Sequence, residues 1–355
     1  MCPPVRGFQV HRRWWLPSLS AALWIALVLA LNLSDQRVAM ISADADPCWH
    51  RRQGQWMIEH RAILRADQFS HTRFDAPLIS KEWLSEILYA AAGNALGWTG
   101  FVVLAAALIA TCLGVLHRQL RAENAEPLTA AGLVLLAALA MSHHWLARPH
   151  LITHLFALAF AWSLRWFDRD RLDARRLLWT LPLLMLLWAN LHGAFATGLV
   201  LIGLYLLGAL VERAWRRAGL LAALFALCLL ASLINPNGWQ LHAQILDFLR
   251  SSVVATYANE FRSPNFHSAA MRGFLALVLV LVLVLPRART RLRAADLVLV
   301  AGWGWLALQA VRHVPVWVLV TVPVLADLLS PLARDLFAAS RWSVLGRFSE
   351  RLAGA

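Results

Sequence analysis

The stretch WTGFVVLAAALIATCLGVL, residues 98–116, decides the fold, because it runs for nineteen residues without a charge. A bilayer core offers no water to backbone N–H and C=O groups, so an uncharged apolar run of about this length reads as a helix that satisfies its own hydrogen bonds while crossing. Further blocks fall at Trp14–Leu33, Leu128–Ser142, Leu151–Phe167, Leu177–Asn190, Ala194–Val211, Gly219–Ile234, Gly273–Leu285, Ala295–Val311 and Val314–Leu329. Several are shorter than the ~20 residues of a full crossing. Those ending at Ser142 and Asn190 must borrow flanking residues or stop below the surface. Composition agrees: hydrophobic residues are 60% of the chain and charged residues 15%, and the mean hydropathy is +0.58, outside the range of soluble domains. The expectation is an all-α, polytopic membrane protein with about ten transmembrane helices.

Orientation follows from the basic residues. With a cytoplasmic N-terminus, 21 of the 33 Lys and Arg fall on the inner side, and every inner loop has at least two. Seven of the other twelve lie in the long first loop, where charge weighs less on orientation. Both termini are therefore expected in the cytoplasm, and the net charge of +13 reflects topology and anionic lipid rather than a nucleic-acid site. The first block is long for the core of a secretory signal, and the cleavage-like Ala43-Asp44-Ala45 lies a dozen residues beyond it. It is read as an anchor. The simplest division is one membrane domain over 1–355: a first span at 14–33, an outer loop at 34–82, the remaining spans within 83–329, and a cytoplasmic tail at 330–355. The four cysteines show no metal or disulfide spacing.

The first loop opens on Asp44-Ala45-Asp46-Pro47-Cys48-Trp49-His50 and closes on Lys81-Glu82-Trp83-Leu84. From Trp49 to Ile63, apolar Trp49, Trp56, Met57 and Ile58 alternate with Arg51, Arg52, Glu59 and Arg61, the pattern of a helix lying in the membrane interface. Asp46-Pro47 is also a helix start, so Asp46 could simply be an N-cap. A second helix is expected from Leu78–Lys81 towards the next span, with Glu82 and Glu86 one turn apart. Asp67 and Asp75 lie in the connecting loop.

With this topology, 11 of the 13 histidines lie at or near the outer side. The outer span ends read His143-His144-Trp145-Leu146-Ala147-Arg148-Pro149-His150, Trp188-Ala189-Asn190-Leu191-His192-Gly193, Asn235-Pro236-Asn237-Gly238 and Arg312-His313-Val314-Pro315. Helix caps and an aromatic belt explain any one of these residues, but both would appear on both faces. The inner loops offer Arg, Asp and Glu in unremarkable mixtures. The one-sidedness points to a shared outer cavity. Arg148 and Arg312 each sit within three residues of a proline and a histidine, and a guanidinium fork suits phosphate oxygens; the bland reading is snorkelling towards headgroups. Asn190 and His192 are candidates to hydrogen-bond substrate or one another.

These motifs together resemble the glycosyltransferase C superfamily, the integral-membrane transferases that include protein O-mannosyltransferases and aminoarabinose transferases of lipid A. The runs Asp46–His50, Gly54–Ile58, Asp67–Thr72 and Glu82–Glu86, with the four outer clusters above, look like a bacterial branch of it, and the likeness covers most of the chain. Two positions depart: Lys81 stands where a histidine is expected before Glu-Trp-Leu, and Cys48 where an aromatic is commoner. The resemblance implies transfer of a sugar from a polyprenyl-phosphate carrier to a lipid, glycan or protein acceptor at the outer face of a bacterial cytoplasmic (inner) membrane. It also implies a first-loop acidic residue acting as base or metal ligand. Here that residue is Asp46, with Asp44 second and Glu82 a further candidate. Asp44, Asp46 and His50 would hold a divalent metal if one is used, while Arg148, His150, Asn190, His192, Arg312 and His313 would bind substrate. Two other readings compete. One is a non-catalytic assembly partner of the same fold; the other is a lipid or solute transporter, which would want charges or broken helices near mid-membrane.

Overall fold

The computed structural model describes residues 19–43, 45–251, 258–288, 292–339 and 342–353. Among these residues the chain is helical, and its nearest approach to a sheet is a bridge between Ala66 and Pro77. In chain order the helices are α1 (Leu19–Leu33), α2 (Asp35–Ser42), α3 (Asp46–His60), α4 (Trp83–Leu96), α5 (Trp98–Ala122), α6 (Pro127–Met141), α7 (His150–Asp168), α8 (Ala174–Leu191), α9 (Ala196–Val211), α10 (Trp215–Ser232), α11 (Trp239–Arg250), α12 (Ala269–Val284), α13 (Ala294–Gln309), α14 (Val314–Ala338) and α15 (Ser343–Ala353). Every hydrophobic block of the sequence lies on a helix, although Trp14 to Ser18 of the first block fall outside the described residues.

Among the described residues, six helical segments are long and apolar enough to cross a membrane: Trp98–Ala122, Pro127–His144, Gly193–Val211, Trp215–Ser232, Ala269–Arg287 and Val311–Ala338. Two shorter apolar helices, Ser20–Leu33 and Ala294–Gln309, accompany them. Helices α7 and α8 are as long but carry Arg165, Asp168, Arg175 and Arg176 at one end. The protein is thus an all-helical, multi-pass type of chain.

Burial separates the helices by role. The hydrophobic window of α14 is 72% buried, whereas that of α12 is 28% buried. Helix α14 is therefore the central post, packed against α6, α7 and α13, while α12 leaves most of its leucine and valine surface uncovered. Small residues permit close crossings where apolar surface alone gives little drive in lipid. At Gly208 of α9 a Cβ would lie 2.6 Å from the Ala295 Cα of α13.

One end of this bundle is tied by charge. Arg165, 4% exposed, reaches Glu123 at 2.7 Å, Asp296 at 2.8 Å and Asp327 at 2.6 Å. Arg169 joins Asp296 at 3.1 Å and Asp327 at 2.7 Å, and Arg217 and Arg293 flank Asp168 at 3.4 and 3.5 Å. The charges that looked unremarkable in sequence form a fastening between α5, α7, α13 and α14. His150 opens α7 and Arg165 lies fifteen residues on, so the fastening is about 22 Å along the axis from the α7 N-terminus. The chemistry expected from the sequence gathers at that other end.

Candidate active site

Helices α3 and α4 build the floor of the site. Pro47 occupies the first turn of α3, where its missing N–H costs nothing. The buried face of α3 repeats at helical spacing through Pro47, His50, Gln53, Gly54 and Met57. Helix α4 answers with Ser85, Glu86, Tyr89, Ala90 and Gly93. The two backbones nearly touch: a Cβ at Gly54 would stand 1.9 Å from the Glu86 carbonyl oxygen. That contact sets His50, one turn before Gly54, against the first turn of α4.

The result is a buried polar cluster. His50 Nδ1 lies 3.4 Å from Glu86 Oε1 and 3.6 Å from Glu82 Oε2. Glu86 also accepts from the Ser80 hydroxyl at 3.0 Å and, with the Gln53 amide turned nitrogen-first, from Gln53 at 2.8 and 3.1 Å. The other oxygen of Glu82 faces His192 Nε2 at 3.4 Å. His192 is itself oriented, since its Nδ1 meets the Thr153 hydroxyl at 2.8 Å and the Ala194 N–H at 3.2 Å. An Nδ1 that accepts these bonds leaves the proton on Nε2, pointing at Glu82. Trp188 Nε1 donates to Thr153 at 3.0 Å behind it. Burial alone would push the His50 pKa down, but the facing carboxylates of Glu86 and Glu82 outweigh it and hold it above its ordinary value. Burial raises Glu86, against the opposing pull of His50.

A more open layer lies next to it. Ala45 is the N-cap of α3 and Asp46 its first residue; the Asp46 carboxylate reaches Arg148 Nη1 at 3.1 Å. Arg148 and Arg312 both address Glu260, at 3.9 and 3.5 Å. The Arg312 guanidinium also stacks on the Phe261 ring at 4.2 Å. Asp46, Arg148, Glu260 and Arg312, spread over more than 260 residues of sequence, thus form one chain of alternating charge.

The other candidate residues sit around this layer. His150 Nε2 bonds the His144 carbonyl at 2.7 Å, and the rings of His143, His144, His150 and His154 follow one another at 5.0 to 6.4 Å. His313 packs near Trp303 at 5.9 Å. Asn190 is committed to structure: its oxygen accepts from Trp83 Nε1 at 3.0 Å, and its nitrogen donates to the Leu186 and Ile234 carbonyls at 2.8 and 2.9 Å. Of the expected metal trio, Asp44 lies outside the described residues and Asp46 turns to Arg148. The ligand-type neighbours of His50 are instead Glu82 and Glu86. Asp67 organises its own loop, accepting from the Phe69 and Ser70 N–H groups at 2.9 Å each. Its hydrogen bonds with Ser70, then with the Phe69 N–H, hold its pKa below the usual carboxylate range.

Sequence reasoning gave Glu86 no role, left Thr153 unremarked, and missed Glu260. The signal for Glu260 was available: apart from Asp247, it is the one carboxylate between Asn235 and Arg272. No family model, curated protein or solved structure matches the chain.

Proposed function

We propose that this protein is a membrane glycosyltransferase that moves a sugar from a polyprenyl-phosphate carrier to a hydroxyl acceptor at the outer face of a bacterial cytoplasmic membrane. The observation that carries this reading is the meeting of Asp46 with Arg148, and through Glu260 with Arg312, at one end of the bundle. Such a pair supplies both halves of the reaction. The acceptor hydroxyl gives its proton to the Asp46 carboxylate as its oxygen attacks the anomeric carbon. The bond from that carbon to the phosphate oxygen breaks, and the phosphate leaves with the bonding electrons. The added charge is met by the two guanidinium groups. In the resting protein Arg148 is engaged by Asp46, so an arriving phosphate competes for the arginine and releases the carboxylate.

The accompanying topology is about ten spans, α1 and α5 to α10 with α12 to α14, with both termini cytoplasmic and residues 34–82 outside. Helices α3 and α4 would then lie at the outer interface, with the carrier's tail in the bilayer and its phosphate at Arg148.

The arginines provide the test. Arg148→Lys and Arg312→Lys keep the charge and lose the bidentate fork, so the apparent affinity for a polyprenyl-phosphate sugar should weaken by about 10-fold while the purified proteins remain monodisperse. Unchanged affinity in both variants would reduce the two arginines to headgroup snorkelling and remove the donor-binding half of the reading.

A further inference from the structure

The buried cluster beneath Asp46 is spaced more widely than a tight charge-assisted hydrogen bond. Charge-assisted N–H···O bonds close to about 2.7–2.9 Å, yet His50 Nδ1 stands off at 3.4 Å from Glu86 and 3.6 Å from Glu82. Those are the separations that ligand atoms adopt around a shared tetrahedral ion. Bonds of about 2.0–2.2 Å give tetrahedral edges of about 3.3–3.6 Å. One atom from each of His50, Glu82 and Glu86 lies within 4.8 Å of the other two. All three residues are buried, at 8%, 7% and 3% exposure.

The charge count points the same way. Two carboxylates facing a single imidazole leave excess negative charge in a largely desolvated place even with the imidazole protonated, which is costly unless something compensates it. Lys81 does so poorly: its Nζ is 4.0 Å from Glu82, its side chain is 41% exposed, and it lies over the Phe248 ring at 5.0 Å. A divalent cation would neutralise the cluster in full.

Around the three ligands stands the support that metal sites require, with each carboxylate contacted by a polar side chain from outside. Ser80 and Gln53 hold Glu86. His192, fixed by Thr153 and Ala194, holds the second oxygen of Glu82.

We infer that His50, Glu82 and Glu86 bind one divalent first-row transition-metal ion, of which zinc is the best fit, with a fourth coordination position left to water or substrate. The imidazole ligand and the tetrahedral spacing disfavour magnesium and calcium, which want oxygen ligands in larger sets. The ion would clamp α3 to α4. Because Asp46 lies one turn before His50 on α3, the clamp also fixes where the Asp46 carboxylate points. This inference does not rest on the transferase reading, and its test uses no activity.

The full-length protein, purified in detergent and stripped with chelator, is titrated with Zn2+ and, separately, with Co2+. One equivalent of zinc should be retained through desalting. Bound cobalt should give the intense visible absorption of a tetrahedral ion, abolished by one equivalent of zinc but not by millimolar Mg2+. Glu86→Gln, nearly isosteric, should lower zinc affinity at least 100-fold, and Ser80→Ala about 10-fold. Retention of less than 0.1 equivalent of zinc by the wild-type protein would overturn the inference. So would weak octahedral cobalt bands, or wild-type affinity in Glu86→Gln. Should Glu86→Gln fail to fold, the wild-type stoichiometry and cobalt spectrum decide alone.

Discussion

At the scale of single residues, the site is an arrangement of unlike charges whose pairing controls which group is available. Glu260 bridges both arginines, and so stands where the phosphate of the proposed donor would bind. Neutralising it in Glu260→Gln should tighten binding of the lipid phosphate. Partly exposed pairs of this kind are worth about 0.2–1 kcal/mol, so the gain should be about two- to five-fold in a direct binding titration. A loss of affinity would show instead that Glu260 is needed to position the guanidinium groups. Much of the site was legible in sequence as residue types: Asp46, His50, Glu82, Arg148, His192 and Arg312 stood out because polar residues are expensive beside apolar blocks. Their pairing was not legible. Asp46 and His50 are one turn apart on α3, yet one turns to Arg148 and the other to Glu86. Only the packing of α4, α7 and the stretch around Glu260 against α3 decides that. Asn190 shows the converse, since a motif-like position proved to be saturated by three structural hydrogen bonds.

At the scale of helices, the apolar blocks located their elements well because self-satisfied backbone is the only stable form for such runs in lipid. The sequence reading missed α2, α11 and α15, which are short and mix polar with apolar residues. It anticipated α3 and the start of α4 from their amphipathic and acidic patterns, but not how tightly they meet. That closeness depends on Gly54. In Gly54→Ala the new methyl would collide with the Glu86 backbone, and overpacking of this kind costs about 1–3 kcal/mol. The midpoint of thermal unfolding should fall by several degrees, and zinc retention should fall with it; unchanged values for both would mean that α3 and α4 are free to move apart. The far end is held differently. In Arg165→Ala the carboxylates of Glu123, Asp296 and Asp327 would lose their buried partner, a defect worth about 3–5 kcal/mol. Poor yield or early unfolding in detergent should follow. Wild-type stability in this variant would show that Arg169 alone carries the network.

At the scale of the whole molecule, the two ends of the bundle are chemically unlike. One is a balanced and saturated charge fastening; the other gathers histidines, half-buried arginines and carboxylates around α3. A fastening needs no access, whereas a site does, so the asymmetry fits a protein that works at one membrane face. A reporter active only outside the cytoplasm, fused after Ala355, should stay silent, while the same reporter inserted at Phe74 in the first loop should be active. The reverse pattern would turn the proposed site inward. The proposed reaction turns on Asp46, which takes the acceptor's proton in glycosyl transfer from a lipid phosphate. The most direct measurement incubates the purified protein and its Asp46→Asn variant with a panel of radiolabelled polyprenyl-phosphate sugars and a lipid extract, and compares initial rates of transfer. Asn is nearly isosteric and accepts no proton, so transfer by the variant should fall about 100-fold or more with thermal stability nearly unchanged. Near-normal turnover in Asp46→Asn, or no transfer by the wild-type protein from any donor in the panel, would contradict the claim.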